Sequence, residues 1–177
     1  MAVTNYSKSI KEDTKKWLTL ATLELLKTTQ LSKLTVSEVA KRSGVSRMAF
    51  YRHFTDLTQV LTEYYEPKFQ AIFDKTINKV SPEQKIDDLS EFFQELTPDF
   101  QAAIEGGHKE IIFQLFSKQM ARFYDETTTW EDWEGSKRYY WIKFMSAGIF
   151  EVWLSWIETG QKESISAMTD LIKEFHE

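Results

Sequence analysis

Between Ser37 and Phe54 the chain reads SEVAKRSGVSRMAFYRHF, and one glycine decides what this stretch can become. Val36, Val39 and Ala40 fall at helical spacing before it, and Val45, Ala49, Phe50 and Phe54 do so after it. Gly44 sits between them, where a residue without a Cβ turns the chain through positive φ at no steric cost. The start signals are equally local. Thr35 with Glu38 three positions on forms a capping box, so a helix starts at Val36. Ser46 caps the second helix. With its apolar set turned inward, that second helix leaves Arg47, Met48, Tyr51 and Arg52 facing out.

The flanks continue the helical pattern. Leu18, Ala21 and Leu25 give residues 6 to 30 an apolar face, preceded by Lys8, Lys11, Lys15 and Lys16. After a capping position at Thr55-Asp56, Val60, Leu61, Tyr64 and Tyr65 predict a helix that kinks or restarts at Pro67 and runs to about Lys79. Ser81-Pro82-Glu83 reads as an N-cap with proline at the first helical position. The helix it opens turns Ile86, Leu89, Phe92, Phe93 and Leu96 inward and kinks or ends at Pro98. Gly106-Gly107 precedes a buried stripe of Ile111, Ile112, Leu115, Phe116 and Met120, and the acidic stretch from Asp125 to Glu134 reads as a solvated loop. Residues 136 to 158 form the most apolar helix, closed by Gly160, and residues 164 to 175 form the last.

Six Gly and three Pro in 177 residues, with no alternating Val/Thr-rich run, place the chain in the all-α class with about eight to nine helices. Its net charge of −5 conceals an asymmetry. Residues 1 to 55 hold ten Lys/Arg against four Asp/Glu, whereas residues 56 to 177 hold twelve against twenty-three. A basic head on an acidic body is suited to meeting a polyanion with the head alone. The division expected is therefore a head over 1–55 and a helical body over 56–177.

Several classes of function drop out. There is no apolar run long enough for a membrane span and no signal-peptide pattern, so a cytoplasmic protein is expected. Without cysteine there are no disulfides and no thiolate metal sites. The three histidines, His53, His108 and His176, lack metal-ligand spacing, and no Gly-rich phosphate loop or nucleophile elbow occurs. Glu131, Asp132 and Glu134 cluster beside no histidine. Neither catalysis, nor a metal, nor a cofactor is expected.

A helix, a one-glycine turn and a second helix bearing exposed Arg and Tyr form a helix-turn-helix, which fits a B-DNA major groove about 12 Å wide. The run LTVSEVAKRSGVSRMAFYRHFTD resembles the DNA-binding signature of the tetracycline-repressor (TetR) family of transcriptional regulators over roughly residues 12 to 62. The resemblance implies that Ser46, Arg47, Met48 and Arg52 face the groove and that Thr35, Tyr51 and His53 contact the DNA backbone. For Arg47 two readings stand: a fork on guanine O6 and N7, or a surface cation on phosphate. Met48 packs on a thymine methyl or sugar, or stays in solvent; His53 caps its helix or touches phosphate. One position departs from the family pattern. Where many members place a phosphate-gripping lysine, this chain has Leu57.

The resemblance further implies a homodimeric regulator, a repressor, on a near-palindromic double-stranded operator, with a small-molecule effector bound in the body. A helical protein-interaction module, or a regulator triggered by a protein, is the alternative. Five of the six tryptophans, Trp130, Trp133, Trp141, Trp153 and Trp156, lie within 27 residues. Trp153 and Trp156 are assigned to the dimer interface or its rim, and Phe116, Trp141 and Phe144 to the effector pocket, with ordinary core packing the competing reading for each.

Overall fold

The structure is a computed structural model that describes residues 2–79, 89–128, 130 and 135–175. Among them every regular element is helical: α1 (Ala2–Leu26), a 3-10 turn (Leu31–Lys33), α2 (Val36–Ser43), α3 (Arg47–Phe50), α4 (Leu57–Lys79), α5 (Leu89–Glu105), α6 (Lys109–Thr127), α7 (Ser136–Glu158) and α8 (Ile165–Glu174). Eight α-helices agree with the all-α class and with the number expected. The cap at Ser81-Pro82-Glu83, Ile86, the carboxylates Glu131, Asp132 and Glu134, Trp133 and His176 lie outside the described residues.

The chain forms two compact units, residues 1–65 with 102–111, and residues 66–101 with 112–177. The first unit reaches past residue 55 because Leu57, Val60, Leu61 and Tyr65, the first turns of α4, join Leu18, Val39, Phe50 and Phe54 among the buried side chains. The turn between α5 and α6 belongs to it as well. The Leu31 N–H donates to the Gly106 carbonyl at 2.8 Å, Gln30 Nε2 donates to the Glu105 carbonyl at 3.0 Å, and the Tyr65 hydroxyl meets His108 Nε2 at 3.1 Å. These partners are 43 to 75 residues apart in sequence, too far for any local pattern to reveal.

An aromatic core fills the second unit. The Phe93 ring stacks on Trp153 with centroids 4.0 Å apart. Phe73 meets Phe92 edge-on at 4.8 Å, and Phe150 lies against Phe100 and Phe113 at 5.2 and 4.9 Å. Burying each such ring stabilises the fold by roughly 1.5–3 kcal/mol, which accounts for a helix that continues past a proline. Pro98 does not end α5: Leu96 and Phe100 on either side of it are buried, and burial outweighs the one backbone hydrogen bond that proline removes. Pro67 likewise lies inside α4. Asp125 and Glu126, expected in a loop, are in the last turns of α6, where Asp125 pairs with Arg138.

Candidate nucleic-acid interface

The interface grows from local signals that the fold realises. The Thr35 hydroxyl accepts from the Glu38 N–H at 3.3 Å, and Glu38 Oε2 accepts from the Thr35 N–H at 2.8 Å, completing the capping box. The Thr35 hydroxyl also donates to Glu38 Oε2 at 2.6 Å, and this side-chain bond first, with the Thr35 N–H bond second, holds the Glu38 carboxyl below its ordinary range. Gly44 is left-handed at φ 71° and closes α2. Ser46 Oγ then accepts from the Ala49 N–H at 3.1 Å and starts α3, while its own O–H stays available as a donor.

α3 has only four residues, and its two faces differ sharply. Phe50 is fully buried and Phe54 nearly so, their rings 5.7 Å apart. On the other side Arg47, Met48, Tyr51 and Arg52 are all exposed, Met48 by 69% and Tyr51 by 51%. Tyr51 is not loose for all that: its ring stands edge-on to Phe50 at 5.4 Å, which aims the hydroxyl. His53 is half-buried against Phe54. The structure thus brings Ser46, Arg47, Met48, Tyr51 and Arg52 together on one turn of chain, with Thr35 exposed at the start of α2. Cations, hydroxyls and a thioether on one convex strip can donate to phosphates and to purine edges and can cover a thymine methyl.

Two basic residues of the head are engaged inside the protein. Arg42 pairs with Glu24 and Lys15 with Glu63, pairings that the count of charges could not reveal. Leu57 is 8% exposed and belongs to the core of the first unit. The lysine of the family pattern is therefore replaced by a packing residue, and no side chain reaches out from position 57 to a phosphate.

The aromatic assignments in the body need correction. Trp153 is fully buried and donates from Nε1 to Thr97 Oγ1 at 3.2 Å. Trp156 is 5% exposed and donates to the Glu163 carbonyl at 2.9 Å. Both rings are consumed inside one chain and cannot face a partner, because the apolar partners and hydrogen-bond acceptors they require are already supplied. Phe116, Trp141 and Phe144 do not form one cluster either. Phe116 is fully buried against Phe73, Phe100 and Phe150; Trp141 lies half-buried against Tyr124 and Trp130. Phe144 is 75% exposed at the rim of an apolar groove of about 340 Å³ between α7 and α8, lined also by Met145, Gly148, Ile149, Val152, Ile172 and Phe175. Among the described residues no group of three or more His, Asp or Glu is gathered as metal ligands, and no helix is long and apolar enough to cross a membrane.

Comparison with known proteins bears on this surface. Residues 18–64 match the family model of bacterial regulatory proteins, tetR family. No curated protein matches the chain. Solved structures share its fold across nearly the full length. The fatty acid degradation regulator FadR from Bacillus halodurans is 15% identical with a TM-score of 0.57, covering 91% of this chain and 93% of its own. The TetR family repressor AlkX from a Dietzia strain, implicated in biodegradation of n-alkanes, is 18% identical with a TM-score of 0.52 over 90% and 91%. A tetR-family transcriptional regulator from Streptomyces coelicolor is 16% identical with a TM-score of 0.51 over 93% and 79%. Residues 18–64, the very residues that cap, turn and expose α3, thus carry the DNA-binding module of tetR-family bacterial regulatory proteins, in a chain that shares the fold of these solved structures, and the protein is a DNA-binding transcriptional regulator.

Proposed function

We propose that the protein is a cytoplasmic repressor that binds a near-palindromic operator as a homodimer and releases it when a small effector binds the body. It uses no cofactor and catalyses no reaction. The observation that carries the reading is the strip Ser46, Arg47, Met48, Tyr51 and Arg52, exposed on a helix whose opposite face is buried. Ser46, Arg47, Met48 and Arg52 take the groove; Thr35, Tyr51 and His53 take the backbone. One such helix spans few base pairs, so two copies about one helical turn apart are needed to specify a site.

For the dimer face the α7–α8 surface replaces Trp153 and Trp156. Tyr140 and Phe144 are 68% and 75% exposed one turn apart, Gly148 is one turn further along, and Phe175, the residue that closes α8, is 60% exposed beside the same groove. Aromatic rings left in water along one stripe favour burial against a second copy. On this reading Phe144 serves the dimer and not the effector pocket, and Phe116 and Trp141 remain the pocket candidates. An apolar effector suits the phenylalanine-rich interior, and two structural neighbours are described as regulators connected with fatty acid degradation and n-alkane biodegradation.

Selection of bound duplexes from a random pool tests the proposal. Enrichment of a sequence with two inverted half-sites is the expected result; a single unpaired half-site would rule out the symmetric dimer.

A further inference from the structure

Lys15 belongs to the basic run that opens α1, where every lysine reads as a candidate phosphate contact. The structure uses this one differently. Its Nζ pairs with Glu63 Oε2 and lies 5.3 Å from the centroid of the Phe54 ring. Glu63 Oε1 accepts from Gln59 Nε2 at 2.9 Å. Gln59 Oε1 in turn accepts from the Thr55 N–H at 2.6 Å and from the Thr55 hydroxyl at 2.9 Å. Thr55 follows Phe54 in the chain, so the contacts close a ring that starts and ends at Lys15.

Every bond in the ring has a forced direction. A backbone N–H only donates, so the end of Gln59 that faces Thr55 is its carbonyl oxygen and the end that faces Glu63 is its NH₂. The ionised carboxylate only accepts, and Lys15 supplies its second donor together with the matching charge. Asp56 accepts from the Gln59 N–H at 2.8 Å and fixes the start of α4 at the same place. Taken alone, a pair as exposed as Lys15–Glu63, at 44% and 35%, contributes little. Closure changes that, because each side chain is already restrained by the next.

The ring grips the chain just past the C-terminal end of α3, which closes on backbone hydrogen bonds alone: the Tyr51 N–H donates to the Arg47 carbonyl at 3.1 Å and the Phe54 N–H to the Phe50 carbonyl at 2.9 Å. A helix of four residues does not hold itself in water, so the aim of Arg47 and Arg52 depends on what anchors Ser46 at one end and Phe54-Thr55 at the other. We propose that Lys15 is a positioning residue for DNA reading, holding the Phe54-Thr55 end of the recognition segment through Glu63 and Gln59, and that it makes no phosphate contact of its own.

Glu63→Gln gives the sharpest test, since two accounts predict opposite signs. It deletes a negative charge from a DNA-binding unit, which by long-range attraction alone leaves binding unchanged or tighter. Positioning predicts weaker binding. With full-length protein, a duplex enriched from a random pool by the parent, and a random-sequence duplex of equal length, Glu63→Gln and Lys15→Met should each weaken the enriched duplex by roughly three- to tenfold. The random duplex should change by less than about twofold, and the double variant should be no weaker than the weaker single one. The dependence of log affinity on log salt should keep its slope. Unchanged or tighter binding by Glu63→Gln, additive losses in the double variant, or a slope flattened by about 0.9 per head in Lys15→Met would each overturn the assignment. So would unfolding of Glu63→Gln at the assay temperature, which would make the ring a support of the fold and not of the reading.

Discussion

Arg47 and Tyr51 stand on the same exposed face, yet their chemistry divides their roles. A guanidinium fork can take two acceptors of one guanine, whereas a phenol offers one hydroxyl that suits a phosphate. Arg47→Ala should therefore weaken binding by about 1–3 kcal/mol and relax preference at one base pair per half-site. Tyr51→Phe should weaken all duplexes alike. Mobility shifts against single-base variants of an enriched duplex distinguish the two patterns, and uniform loss in Arg47→Ala would move Arg47 to the backbone. Position 57 gives the contrary case. Leu57 is buried at 8% exposure, so a lysine placed there buries a charged head or pries the helix loose. Leu57→Lys should cost about 1–3 kcal/mol of stability in urea unfolding and leave the salt slope of DNA binding as it was.

The recognition element owes its form to its boundaries more than to its own four residues. Gly44, at φ 71°, has open space where a Cβ would project, so Gly44→Ala meets no clash and registers backbone cost alone. That substitution should destabilise the protein by about 1–2 kcal/mol, read as a lower urea midpoint with an unchanged slope. Caps at Thr35 and Ser46 and the turn at Gly44 were legible because each depends on residues no more than about four apart. The course of α5 through Pro98 was not, because the burial that overrides proline comes from distant helices.

Longer-range order has its own observables. His108 is 3% exposed and bonds to Tyr65; burial pushes its pKa down, against a smaller opposing pull from the Gly106 backbone. The unfolded chain takes up a proton near pH 6.5 that the folded one resists. Stability is thus whole above that pH and falls as the pH drops through it toward the lowered folded value. Urea midpoints of the parent should decline between about pH 7 and pH 5, and His108→Gln, which retains a partner for Tyr65, should decline less. The exposed stripe on α7 predicts a separate outcome. Sedimentation should find the full chain dimeric at micromolar concentration, and Phe144→Asp should shift it toward monomer with weaker operator binding, because two linked heads bind more tightly than two free ones.

Reading residues in order was enough for helix class, caps, turn and the outward face of α3, since periodicity and capping are short-range and the exposed strip lies within seven consecutive residues, Ser46 to Arg52. The same reading could say that Trp153, Trp156 and Phe116 are large and apolar, but not which surface they meet. A tryptophan in a core and one at an interface obey one transfer energy, and only the packing of helices brought together across long stretches of chain tells them apart. Lys15 makes the same point for charge. Its sign is written in the sequence, but its partner, Glu63, lies 48 residues away, and Coulomb energy depends on that distance in space and not along the chain.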